Sequence, residues 1–183
     1  GIGSNAIGKD NVANGLDSNA FGTANKANSD NSNAFGTGNL ADGIVTSAFG
    51  YLNNVSGNES VAFGFTNTIS AAEAVAMGRN NQVIATGGSA IGNNNQAMAM
   101  YSTAIGNDNY AIGENSSAIG LGNNITANDA TALGNKNTAS GISAGAVGIS
   151  NTASGHNAQA FGYLNEATAQ DSQAFGAQNK ATE

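Results

Sequence analysis

The sequence contains no cysteine and a single histidine, and only 9% of its 183 residues are charged. Without cysteine there are no disulfides, thiolate metal sites or cysteine nucleophiles. Twelve acidic and five basic residues leave a formal charge of −7, with a pI near 4.3. Basic residues this few and this scattered form no stripe along which a phosphate backbone could run, so nucleic acid is excluded as a partner. No apolar run approaches the ~20 residues of a membrane helix, so direct membrane insertion by this segment is not expected. Neither a secretion signal nor a lipid-anchor motif is present. The chain opens and closes partway through a repeat, which predicts a segment of something longer.

What the chain has in abundance is glycine, 26 residues of it, together with asparagine and serine. By composition alone it could pass for a disordered low-complexity tract. Its register argues otherwise. A triplet of Ala, a large apolar residue and Gly recurs every fourteen residues, thirteen times without a missed step, from Ala6-Ile7-Gly8 through Ala104-Ile105-Gly106 to Ala174-Phe175-Gly176. Ala48-Phe49-Gly50-Tyr51-Leu52-Asn53 returns almost intact as Ala160-Phe161-Gly162-Tyr163-Leu164-Asn165. Three residues past each glycine stands an asparagine, from Asn11 to Asn179, and five past it Ala, Val or Ile. Disorder supplies no reason to hold glycines in phase, whereas a fixed period is the mark of a stacked repeat in which each unit touches only its neighbours. The expectation is one repeat domain over residues 1–183.

Fourteen residues are too few for a helix and a strand with two connections, but they suit two strands of four or five joined by tight turns. On the first strand alternation sends Ala and the large residue to opposite faces. The second reads polar, apolar, polar, as in Lys26-Ala27-Asn28 and Thr138-Ala139-Ser140, which predicts one wet face and one buried face. Gly and the asparagine three later bracket the first turn, where positive φ is cheap for Gly and tolerable for Asn. Stacked in register, the asparagines could also form an amide ladder.

Only small residues fit inside so flat a coil. The large ones then form an outward column: Ile7, Phe21, Phe35, Phe49, Phe63, Met77, Ile91, Ile105, Ile119, Leu133, Val147, Phe161 and Phe175. Each is worth ~1.5–3 kcal/mol when buried, and soluble monomers rarely leave such a stripe in water. The column therefore predicts a homo-oligomer that buries it around a symmetry axis. The opposite assignment, large residues inside and alanines at the interface, is left open at this stage.

The repeat resembles that of YadA-like heads of trimeric autotransporter adhesins, which runs roughly Asn-Ser-Val-Ala-Ile-Gly, two residues, Ser, one residue, Ala, one residue, Gly. Asn115-Ser116-Ser117-Ala118-Ile119-Gly120 and Glu59-Ser60-Val61-Ala62-Phe63-Gly64 match its first half, and the likeness covers essentially the whole chain. It departs in carrying Asn where the family has Ser three past the glycine, and in frequent Phe for Ile. The resemblance implies an all-β, left-handed parallel β-roll, or β-solenoid, of about thirteen coils with two short strands each, assembled as a homotrimer. It further implies a bacterial cell-surface location, as the extracellular part of an outer-membrane-anchored protein, and a ligand such as an extracellular-matrix protein, a host cell or another surface.

Chemistry is sparse. His156 lies in a turn with no nucleophile or carboxylate placed to work with it. Asp17, Glu59, Glu73, Asp129 and Asp171 share a turn slot nine past the glycine, read as a solvated acidic edge rather than a cation site. Asn54, Asn58, Asn115 and Asn124 begin Asn-x-Ser/Thr matches that arise by chance in so Asn-rich a chain. No cofactor, metal or catalysis is expected. Two groups break the pattern. Six past the glycine, where polar residues are usual, stand Ile84, Met98 and Ile112, with Met100, Tyr101 and Tyr110 in the same coils. These either form a binding patch, meet a neighbouring subunit or fold over their own turn. Just after the glycine come Tyr51 and Phe65, with Tyr163 alone farther on, able to grip a ligand or to cap the oligomer interface. The function expected is an adhesin head. Its rivals are a structural spacer rod or a phage tail-fibre segment, then an ice-binding solenoid, for which no regular Thr array is present, and last an enzyme, for which no cleft is expected.

Overall fold

A computed structural model describes residues 1–183. Twenty-six strands alternate between five and two residues in length. The first four are β1 (Asn5–Lys9), β2 (Val12–Ala13), β3 (Asn19–Thr23) and β4 (Lys26–Ala27), and the same pair recurs at every fourteen-residue step. The chain is a parallel β-solenoid of about thirteen coils with two strands per coil. Its contacts fall into two compact units, Gly1–Asn93 and Asn94–Glu183. In the first, long strands stack parallel with Phe21 beside Phe35 and Ala20 beside Ala34, and short strands with Ala27 beside Ala41. The second unit repeats the register, with Ile105 beside Ile119 and Ala111 beside Ile125.

The second strand is shorter than expected, for a reason that lies in the asparagine. The Asn25 backbone N–H donates to the side-chain oxygen of Asn11 (3.0 Å) and not to a main-chain carbonyl. The regular ladder therefore starts one residue later, with Lys26 N–H to the Asn39 carbonyl at 2.8 Å, and ends with Asn28 N–H to the Ala41 carbonyl at 2.9 Å. A side chain has replaced one rung of the sheet.

Within each unit the interior is narrow and built from small side chains. Ala20, Ala34, Ala48 and their counterparts on the long strands are wholly buried, as are Ala27, Ala41, Val55, Ile69 and Val83 facing them in the first unit, and Ala97, Ala111 and Ile125 in the second. The residues four before each glycine, such as Ser18, Thr46 and Ala74, are also buried. Their hydroxyls are satisfied by main-chain carbonyls, for example Ser60 Oγ to Ala71 O at 2.9 Å. The outward placement of the large column is thus the one adopted, with Ile7, Phe63 and Phe175 each more than half exposed.

The first turn departs from expectation. Positive φ belongs to the glycine itself, at 120° for Gly50, and to the residue two past it, as in Asp10, Ala24, Leu52 and Thr66. The asparagine is not among the left-handed residues. It is buried because it is needed for the ladder. Gly50 is required on two counts: its φ, and the Gly64 carbonyl oxygen that a Cβ there would meet at 2.1 Å.

Candidate functional site

Two outward faces and two turn edges are available to partners. On the long-strand face, alternation brings up the residues three before, one before and one after each glycine. Down the middle of this face in the first unit runs the large column, in which Phe21 stacks on Phe35 at 4.9 Å and Phe35 on Phe49 at 5.1 Å, with Phe63 tilted from Phe49 at 6.2 Å. In the second unit the column is aliphatic through Ile105, Ile119, Leu133 and Val147, then aromatic again where Phe161 stacks on Phe175 at 5.2 Å. Met77 and Ile91 belong to the same column in the first unit, Met77 exposed and Ile91 half-buried.

Tyr51 and Phe65 are on this same face, as the last residues of the strands Ser47–Tyr51 and Val61–Phe65. Their rings stack at 4.8 Å. Arg79, one coil further on, lies 5.6 Å from the Phe65 ring centre, and Phe65 and Arg79 line a surface hollow. This aromatic group therefore belongs to the long strands, whereas Tyr110 lies on a short strand. Arg79 is the chain's only arginine. Its place beside Phe65 is legible in the sequence as a step of fourteen residues.

The short-strand face carries the other group. Ile84 is exposed there in the first unit. In the second, Met98 and Ile112 occupy the same outward slot on adjacent coils, since Met98 N–H donates to the Ala111 carbonyl at 2.9 Å and Ala111 directly precedes Ile112. Tyr110 lies on the same face, half-buried beside Gln96. Met100 and Tyr101 form the adjoining turn, both exposed, and Tyr101 sits in the left-handed region at φ 54°. That conformation also holds Val45, Leu52 and Leu164, all exposed. An apolar side chain gains nothing locally by standing there, and the period alone does not reveal the strain.

Beneath both faces lies the asparagine ladder. Asn53 Nδ2 donates to Asn39 Oδ1 at 3.0 Å, to the Phe49 carbonyl at 2.9 Å and to the Gly64 carbonyl at 2.9 Å. Its own oxygen accepts from the Asn67 backbone and side-chain amides at 3.0 and 2.9 Å. The second unit repeats this through Asn109, Asn123, Asn137, Asn151 and Asn165.

At the turns, carboxylates pair with asparagines one coil earlier: Asn115 donates to Asp129 at 3.1 Å and Asn157 to Asp171 at 2.9 Å. The Asn157 hydrogen bond, aided by Gln170 and by the neighbouring His156, holds the Asp171 carboxyl below its ordinary value. Glu166 accepts from Lys180 at 2.8 Å and raises the lysine's pKa in return. No group of three or more His, Asp or Glu comes together as a metal site. No helix is long and apolar enough to cross a membrane.

A family profile, the YadA head domain repeat, matches in two copies, at residues 41–66 and 97–123. These two copies, set in a solenoid of about thirteen coils, support a YadA-like head domain. Outside the two matched stretches the coil geometry is unchanged, strand for strand and asparagine for asparagine. A search of curated proteins finds no match. The second matched stretch contains Met98, Met100, Tyr101, Tyr110 and Ile112, so the apolar group of the short-strand face is set into a regular piece of YadA-like head and is a local variation of it.

Proposed function

We propose that residues 1–183 form one repeat domain, the head of a homotrimeric cell-surface adhesin that attaches a bacterium to extracellular-matrix protein, a host cell or another surface. The observation that carries this is the column from Phe21 to Phe175, which within each unit stands outward, half-buried or exposed, although every coil places a large apolar residue in it. Identical columns on two further copies would bury it at little cost in new design. Tyr51 and Phe65 extend the column sideways and belong to the subunit contact in this reading. The short-strand face then points away from the other subunits, which leaves Ile84, Met98, Met100, Tyr101, Tyr110 and Ile112 free for a ligand. Three copies multiply a modest affinity per site.

The domain is a binding module rather than an enzyme, since a YadA-like β-solenoid is not typically enzymatic. Its place is the extracellular part of an outer-membrane-anchored protein. Absolute mass in solution, by light scattering during size exclusion, tests the assembly. The expected value is three times 18.0 kDa; a stable, non-aggregating species of 18.0 kDa would overturn the reading. Replacing Ile84, Met98 and Ile112 by Ser or Thr should abolish adhesion while the trimer persists. Unchanged adhesion would favour a spacer rod, with another part of the molecule holding the ligand.

A further inference from the structure

We infer that the patch formed by Met98, Met100, Tyr101, Tyr110 and Ile112 docks a protein segment that combines apolar side chains with lysine or arginine. The inference rests on the adhesin reading and names the chemistry of what that site takes. Three observations lead to it.

The first is local cost. Tyr101 holds φ 54° in a slot where, Val45 apart, other coils place residues such as Gly87, Asn115 or Asp129. Those residues occupy the left-handed region with far less strain than tyrosine, and they would expose no large ring. Tyr101 is 57% exposed beside Met100 at 44%. Strain and exposure together at one turn tip, in two large side chains standing side by side, point to a contact made outside the coil.

The second is contiguity. Met98 and Ile112 replace polar residues at one slot in neighbouring coils, where Thr126, Ser140 and Ser154 stand farther along the unit. Asn115 N–H donates to the Met100 carbonyl at 3.0 Å, which sets the turn after Ile112 directly against the Met100-Tyr101 turn. The flexible thioethers of Met98 and Met100 can adapt to the shape of an apolar side chain.

The third is charge. From Asn94 to Asn135 the second unit has no Lys, Arg or His, but it has Asp108, Glu114 and Asp129. Asp129 is engaged by Asn115. Glu114 is exposed, and it occupies on its coil the slot that Met100 occupies on the one before. A cation arriving beside the patch therefore meets the exposed Glu114 carboxylate next to the Met100-Tyr101 turn. An acidic segment would meet no complementary charge.

The test uses immobilised synthetic dodecapeptides in four classes: basic with apolar residues, acidic with apolar residues, uncharged apolar, and basic without apolar residues. Binding of the whole chain is measured by surface plasmon resonance, and solution mass is measured on the same sample. The basic-apolar class should bind selectively and weaken several-fold in about 0.5 M salt, where charges are screened. Met98→Ser combined with Tyr101→Asn and Ile112→Thr, all residues already used at these slots in other coils, should lose at least tenfold in affinity without changing the mass. Glu114→Gln should lose several-fold on its own. Equal binding by the acidic or uncharged class, binding that survives the triple change, or retention of no class at all would overturn the inference. Peptide binding by a monomer would instead overturn the trimer and leave this docking site standing. A trimer that ignores every class would do the reverse.

Discussion

Asn53 satisfies more hydrogen-bonding groups than any other side chain of its coil. Its amide donates to two carbonyls and to Asn39, and its oxygen serves the main chain and side chain of Asn67. Asn53→Ala strands buried partners that cannot reach water, at about 1–3 kcal/mol each, so the variant should lose more than about 3 kcal/mol in denaturant unfolding. An effect below about 1 kcal/mol would show that water replaces the amide. Two glycines separate strain from collision. Gly50→Ala drives a Cβ into the Gly64 carbonyl and should disrupt folding around its coil. Gly122, at φ 65°, meets only the Lys136 side chain at 3.5 Å, and its slot already holds alanine at Ala24. Gly122→Ala should therefore cost no more than about 1–2 kcal/mol, the ordinary penalty of a left-handed L-residue. Asp171 provides a pH signature. Because its folded pKa is depressed, its contribution to stability is present above the unfolded pKa and lost as pH falls through the folded value. Carboxyl carbon NMR should show Asp171 titrating below the ordinary aspartate range, and Asn157→Ala should move the midpoint up. No movement would mean that Asn157 is not the cause.

At the scale of the strand, alternation predicted that Ala and the large residue face opposite sides, and the structure buries Ala48 and Val55 while Phe49 stands outward. Strand length was not legible, because a side-chain oxygen that takes over a main-chain rung leaves no mark in the hydrophobic pattern. Asparagine three past the glycine reads as a turn residue able to form an amide ladder, and the ladder is present; only the closed coil shows that it is buried and takes over a main-chain rung. The interior tolerates size variation unevenly. Ile125 is wholly buried between Ala111 and Ala139, so Ile125→Ala opens a void that neighbours of that size cannot fill. A loss of about 2–5 kcal/mol in denaturant unfolding is expected. A loss under about 1 kcal/mol would mean that the coil collapses onto the smaller residue.

For the whole molecule the decisive surface is the long-strand face. Phe35 and Phe49 are only half-buried in one chain, so changing both to Ser should leave the β-sheet signal in circular dichroism intact. In a trimer each ring contributes about 1.5–3 kcal/mol of burial in every copy. The doubly substituted protein should therefore shift toward 18.0 kDa on dilution while the parent does not. An unchanged mass at all concentrations would place the subunit contact elsewhere. Tyr51 and Phe65 show why the binding surfaces were harder to read than the fold. Standing just after a glycine, they read as turn residues, whereas they are the last residues of the strands Ser47–Tyr51 and Val61–Phe65.

The fourteen-residue period and the opposite facing of Ala and the large residue on each long strand were determined by the sequence alone, because every coil repeats the same constraint. Four matters needed the tertiary structure: which of those two residues lines the interior, the asparagine ladder in place of a main-chain rung, the left-handed residues two and nine past each glycine, and the sorting of the irregular residues between the two faces. Each depends on what the next coil places a strand's width away, across a distance that residue order along the chain does not express.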